Sequence, residues 1–220
     1  MAKLGSAAAV EAYWNAAAPH LQARYCHSTL GTKIKIERIG NFKHYAGKTI
    51  TASSSGLHTM FDDTVADLGS ADLIAYMCHD TSSLYGTIGI AWRPVVCGHS
   101  SGNKYKESIN EWRPTSVAFG GVNQLFKKQC PTFLHDNAIF SLQLLAHEIG
   151  HNLGFYHDFD DHHGGQSSSC NQDNHIMSYG SSKDKWSTCS KQDFEARYLW
   201  VKQTSYVSWC MEGRFKTLNK

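Results

Sequence analysis

The sequence predicts one mixed α/β domain, α+β in the ordering of its elements, folded as two lobes with a cleft between them. Three observations carry this. Strand-like and helix-like stretches mix through the first two thirds of the 220 residues. A run free of Pro and Gly then leads into His147-Glu148-Ile149-Gly150-His151. After His157 the chain turns polar and loop-like and closes on one more helix. The length suits a single domain, residues 1–220, with an upper lobe over about 1–153 and a lower lobe over about 154–220.

Residues 6–25 place Val10, Tyr13, Trp14, Ala17, Leu21 and Tyr25 on a helical pattern that Pro19 interrupts, and Gly31 can end it. Ile34 and Ile36 alternate with lysine, as in a half-exposed strand. Residues 57–68 predict a second helix. Ala71–Cys78 is an apolar run of strand length, expected near the centre of the sheet. Gly86–Trp92 is a strand containing glycine, and Thr115–Gly121 is one more. The run Ala138–Ala146 predicts the long helix that enters the histidine motif, with Asp136 or Asn137 as its cap. Asp160–Gly165 reads as a solvated loop. The last helix is expected near Ser190–Lys202, with Ser190 and Asp193 spaced like a capping box.

His147 and His151 lie four apart, so on a helix their rings share one face and can reach a single metal ion. Gly154 accepts positive φ and lets the chain turn out of the helix, bringing His157 back from another side. Three neutral imidazoles leave one position open, which marks a catalytic zinc site. Glu148 points away from the direction His147 takes, and suits a base acting on the metal's water. The bland alternative is a helix that happens to bury histidines.

Net charge is +2, so no strong nucleic-acid or membrane patch is implied, and no apolar run is long enough to span a bilayer. No secretory leader and no Asn-X-Ser/Thr sequon occur, so the chain is expected to be a mature catalytic unit cut from a longer precursor. Seven cysteines, at 26, 78, 97, 130, 170, 189 and 210, form no CxxC pair. Their scatter suits disulfides in a secreted protein, and the odd count leaves one thiol over.

The motif from His147 to His157, with its intervening glycine, resembles the metzincin clan of zinc endopeptidases. Asp158, directly after the third histidine, resembles the adamalysin/reprolysin family (ADAM-type, ADAMTS-type and snake-venom metalloproteases). Cys97 after Gly89-Ile90-Ala91-Trp92, the segment Trp186-Ser187-Thr188-Cys189-Ser190, and Cys210 agree with that pattern. The resemblance covers roughly residues 71–212 and is weak before them. It implies a metzincin-like domain: a twisted mixed sheet with helices in the upper lobe, a small loop-rich lower lobe, and a zinc cleft between. It implies that Met177 in His175-Ile176-Met177-Ser178-Tyr179 is the Met-turn, an apolar floor beneath the histidines. It implies disulfides Cys97–Cys210 and Cys170–Cys189, with one further pair among Cys26, Cys78 and Cys130. Tyr179 stands where the astacin and serralysin branches keep a tyrosine that approaches zinc and stabilises the oxyanion; packing is its competing role.

The resulting expectation is a secreted, monomeric zinc endopeptidase with one catalytic Zn(2+), held by His147, His151 and His157, and Glu148 as general base. An extended peptide substrate would pair with the strand near Gly86–Trp92, and residues 178–185 would wall the pocket beyond the scissile bond. Asp158 is expected to hydrogen-bond backbone near the Met-turn and fix the lower lobe. His162 and His163 are expected in solvent, and His175 is not expected to bind metal. Calcium sites are common in the clan, but no ligands for one can be assembled here. The alternative function is a binding module that keeps the fold without catalysis.

Overall fold

The structure, a computed structural model, describes residues 7–37, 74–78, 89–91, 117–121, 134–167, 170, 175–179 and 184–203. The helix expected over 57–68 lies outside the described residues.

Helix α1 (Ala7–Tyr25) runs straight through Pro19, where the sequence predicts an interruption. Pro19 lacks the N–H that would bond the carbonyl of Asn15, but both residues are exposed, so water can take the lost bond. A 3-10 turn (Ser28–Leu30) follows, and Gly31 caps this turn rather than the helix. Ile34 and Ile36 alternate as expected but join no strand. Gln22 takes a neighbouring strand's place: its amide donates to the Ile34 carbonyl at 2.8 Å and accepts from the Ile36 N–H at 2.7 Å.

Among the described residues, three strands form a mixed sheet in the order β1-β3-β2. They are β1 (Ile74–Cys78), β2 (Gly89–Ala91) and β3 (Val117–Gly121). β1 runs parallel to β3, with Ile74 opposite Val117, and β2 runs antiparallel to it, with Ile90 opposite Phe119. Among the described strands β3 therefore holds the middle, the place the sequence predicts for Ala71–Cys78. Helix α2 (Leu134–Asn152) lies against β3, β2 and α1. It starts before Asp136 and Asn137, so both are inside the helix and neither caps it. From Leu144 to Asn152 every residue of the helix is buried, and Leu142, Leu145, Ala146 and Ile149, with Leu153 just past its end, join the hydrophobic core.

The end of α2 is a Schellman motif. The Gly154 N–H donates to the His151 carbonyl and the Phe155 N–H to the Gly150 carbonyl, both at 2.9 Å. Gly154 sits at φ 102°, which side chains of L-residues rarely adopt. The segment predicted as a solvated loop contains a small hairpin, β4 (His162–His163) and β5 (Gln166–Ser167), turning at Gly164-Gly165. Helix α3 (Thr188–Gln203) begins two residues earlier than expected. Its cap is Ser187, whose hydroxyl accepts the Ser190 N–H at 3.0 Å. Asp193 therefore plays no part in a capping box, and its carboxylate turns to other partners.

An aromatic chain joins the two ends of the sequence. Tyr25 packs on Trp186 with ring centroids 5.0 Å apart, Trp186 on Phe155 at 5.0 Å, and Phe155 on Phe194 at 6.1 Å. The Tyr25 hydroxyl donates to the Ala146 carbonyl at 2.7 Å, and the Trp186 indole N–H to the Arg24 carbonyl at 2.7 Å. Cys170 and Cys189 form a disulfide that ties the loop region to the first turn of α3. Cys26 is a free thiol. Cys97, Cys130 and Cys210 lie outside the described residues. No helix among the described residues is long and apolar enough to cross a membrane.

Gly154→Ala is expected to cost about 1–2 kcal/mol, the penalty of a side chain at positive φ, and to lower the thermal midpoint by a few degrees. A thermal melt with an unchanged midpoint would show that the turn tolerates other backbone geometry.

Candidate metal centre

His147 and His151 stand one turn apart on α2, with ring centroids 4.7 Å apart. The turn at Gly154 returns His157 to within 5.2 Å of the first ring and 4.6 Å of the second. One nitrogen from each ring lies within 4.8 Å of the other two, a group that could hold a metal ion. His147 and His151 are buried and His157 is half-buried.

Hydrogen bonding decides which nitrogen faces inward. His147 Nδ1 meets the Ile176 carbonyl at 2.7 Å, and His151 Nδ1 meets the Phe155 carbonyl at 2.8 Å. A carbonyl only accepts, so each Nδ1 carries the hydrogen and each Nε2 keeps its lone pair. The Nε2 atoms of His151 and His157 stand 3.1 Å apart. Two nitrogens at Zn–N distances of about 2.0–2.1 Å from one tetrahedral zinc would be about 3.3 Å apart. The donor set fits zinc in number and kind, and its closest pair in spacing.

Glu148 is buried beside the first histidine. Tyr25 faces the same region. Its burial, and then the negative charge of Glu148, hold its hydroxyl well above the usual phenol range.

Met177 lies fully buried below α2, in a turn closed by the Ser178 N–H to the His175 carbonyl at 3.1 Å. Gly150 is where this floor meets the helix. A Cβ there would lie 2.8 Å from Met177 Sδ, 3.2 Å from Phe155 Cδ2 and 3.3 Å from Trp186 Cζ3. A side chain here would press on all three, so glycine between the two helical histidines suits the close approach of the floor.

Asp158 is fully buried, and it ties three segments together. Its N–H donates to the Met177 carbonyl at 3.1 Å, and its carbonyl accepts the Cys170 N–H at 2.8 Å. Its carboxylate accepts the Ser187 hydroxyl, at the cap of α3. The contact to the turn at Met177 thus runs through Asp158's backbone, and its carboxylate reaches Ser187 instead of the backbone predicted for it. Burial raises this carboxyl above its ordinary range, opposed by the Ser187 hydrogen bond and by His175 and His163.

His162 is exposed, but His163 is fully buried, contrary to the expectation of solvent for both. Its Nδ1 donates to Asp193 Oδ2 at 2.9 Å. The signal was available: two consecutive residues beside a tight Gly-Gly turn point to opposite sides, so one of them faces inward. Asp193, which the sequence singles out only for its capping spacing, also accepts the Tyr156 N–H at 2.9 Å and the Gly164 N–H at 2.8 Å. Burial raises its carboxyl too, against those hydrogen bonds. His175 is half-buried and stands outside the triad, its Nδ1 4.0 Å from Asp158 Oδ2.

Tyr179 is 72% exposed. Its ring lies 5.1 Å from His157 and 4.8 Å from Phe159, which stacks on His157. Burial first, then Asp160 and Glu148, raise its hydroxyl above the usual range. Of residues 178–185, only Ser178, Tyr179, Asp184 and Lys185 are described.

The family model for metallo-peptidase family M12, reprolysin type, matches residues 20–194. The match starts within α1, well ahead of residue 71, where the motif-level resemblance begins. Human disintegrin and metalloproteinase domain-containing protein 9 is 31% identical over 130 residues, covering 56% of this chain and 12% of that protein. The chain thus spans only a small part of that relative's length.

Ser187→Ala removes both the cap of α3 and the partner of a buried carboxylate. The expected loss is about 2–4 kcal/mol, read from denaturant unfolding. A loss below about 0.5 kcal/mol would mean that Asp158 is satisfied without Ser187.

Proposed function

Because this chain belongs to metallopeptidase family M12, with a domain of the reprolysin type, we propose that it is a zinc-dependent endopeptidase cleaving internal peptide bonds of protein substrates. The observation that carries this is the convergence of three imidazole nitrogens within 4.8 Å, with Glu148 buried beside them. Zinc held by His147, His151 and His157 would acidify a bound water towards neutrality and polarise the scissile carbonyl.

The remaining steps belong to the chain's own groups. Glu148 takes the proton of the attacking water on its carboxylate and returns it to the departing amine. Its position next to a ligand, rather than one turn from it, keeps it out of the ligand set. Tyr179, at the rim beside His157, stays protonated at neutral pH and can donate its phenolic hydrogen to the developing oxyanion. Packing against Phe159 is the competing role.

The substrate lies extended along β2, whose outer edge has no partner strand among the described residues. Main-chain hydrogen bonds to that edge would hold a peptide without regard to its side chains. The division into an upper lobe over about 1–153 and a lower lobe over about 154–220, with the substrate between, is part of this reading. So is a place outside the cell, which the Cys170–Cys189 disulfide supports. A binding module without catalysis would have no need of Glu148 or of all three histidines, and the chain keeps the four together.

Three outcomes are expected. Hydrolysis of a generic protein such as casein should vanish with a zinc chelator and return on adding zinc; activity that survives full removal of metal would refute a metal-dependent reaction. Glu148→Gln should lower kcat by about 10²–10⁴-fold while still holding one zinc. A variant of near-normal turnover would remove Glu148 from the reaction. Tyr179→Phe should lower kcat by about 10²-fold with little change in KM if the phenol meets the oxyanion. Unchanged turnover would leave Tyr179 only its packing role.

A further inference from the structure

We propose that Asp193 is the positioning residue for the third metal ligand: from α3, its carboxylate fastens both ends of the loop that carries His157. This rests on the reading of His157 as a zinc ligand.

The three histidines are held in different ways. His147 and His151 are set by α2, and each ring is oriented by a hydrogen bond to a backbone carbonyl. His157 stands on irregular chain beyond the helix. Its place depends on whatever fixes residues 156–164. Within that segment Asp160 closes a local turn. Its Oδ2 accepts the His157 N–H at 3.0 Å, and its own N–H donates to the His157 carbonyl at 2.9 Å. This gives the turn its shape.

Asp158, next to the ligand, ties the middle of this segment to Met177, Cys170 and Ser187, and Asp193 fastens its two ends. Oδ2 of Asp193 accepts the N–H of Tyr156, the residue before the ligand, and Oδ1 accepts the N–H of Gly164 at the far end. The His163 ring donates to Oδ2 from between them. Both side chains of this pair are buried, His163 to 0% exposure and Asp193 to 1%. Burying a carboxylate is strongly unfavourable unless its oxygens are filled, and three N–H donors fill them. The carboxylate is therefore committed to the loop, and through it α3 is linked to the metal site.

An amide cannot substitute. Asn has one accepting oxygen, so one of the two backbone N–H groups would face an NH₂ instead. Asp193→Asn should leave the fold in place and loosen the loop. Zn²⁺ affinity, measured by competition with a chromophoric chelator, should fall about 10–100-fold. With Co²⁺ in place of zinc, the visible absorption bands should change in position and strength. Val201→Ala, a buried change on the same helix outside the loop contacts, should leave Zn²⁺ affinity within about twofold of the parent. Affinity retained in Asp193→Asn, or lost equally in Val201→Ala, overturns the proposal.

Amide exchange in the parent protein gives a test that needs no variant. The Tyr156 and Gly164 amides should be protected with zinc removed as well as with zinc bound. Fast exchange at both in the metal-free protein would show that the metal, and not Asp193, organises the loop. A parent protein that binds no zinc would instead refute the functional reading itself.

Discussion

The site depends on the chain reversing within three residues of the end of α2. Gly154, at φ 102°, makes this possible. Its consequences are mutual. The reversal carries the Phe155 carbonyl to His151 Nδ1 and so turns the Nε2 of that ring inward. It lays the Phe155 ring over Gly150, where an added Cβ would lie 3.2 Å from Phe155 Cδ2. It also brings His157 round to face the two rings it has just left. A helix continuing past residue 152 would keep the first two histidines and lose the third.

The floor of the site is built from chain far away in sequence. Met177 occupies the space that Gly150 leaves free, and the carbonyl just before it orients His147. Trp186 completes the floor and anchors it to α1, through its indole N–H to Arg24 and its packing on Tyr25. Two buried carboxylates then tie the part after the motif together. Asp158 joins the turn at Met177 to the cap of α3, and Asp193 joins α3 to the loop of His157. Asp158 reaches the Ser187 hydroxyl with His175 4.0 Å away, and Asp193 reaches two backbone N–H groups and the His163 ring. Three N–H donors make the burial of Asp193 tolerable, while Asp158 has the Ser187 hydroxyl on one oxygen, and the ordering of loops is what the burial of both achieves.

What the amino-acid sequence reveals unaided is the local part of the site. His147, His151, Gly154 and His157 lie within eleven residues, and helical geometry alone brings them together. Met177 and the Cys170–Cys189 pair are legible through resemblance to a family, not through pattern. Where expectation and structure part, the cause is shared. Ser190 and Asp193 have capping spacing, but Ser187 is the better-placed hydroxyl, and Asp193 answers to a loop some thirty residues earlier. Ile34 and Ile36 have strand alternation, yet their partner is the side chain of Gln22 on a helix. His163 looks polar and solvated beside Asp160 and Asp161, and a buried carboxylate draws it inward. Periodicity reports which face a residue takes within its own element; it carries no information about a partner contributed by another.

Metallopeptidases of family M12 use zinc, and His147, His151 and His157 could hold a metal ion, so the ligand shell can be measured directly. Zinc X-ray absorption on the protein loaded with one equivalent should show nitrogen neighbours at about 2.0–2.1 Å, with the multiple-scattering pattern of about three imidazoles and the balance made up by oxygen. A shell containing sulfur at about 2.3 Å, or one with fewer than two imidazoles, would contradict the account, because the converging Nε2 atoms would not then be the site.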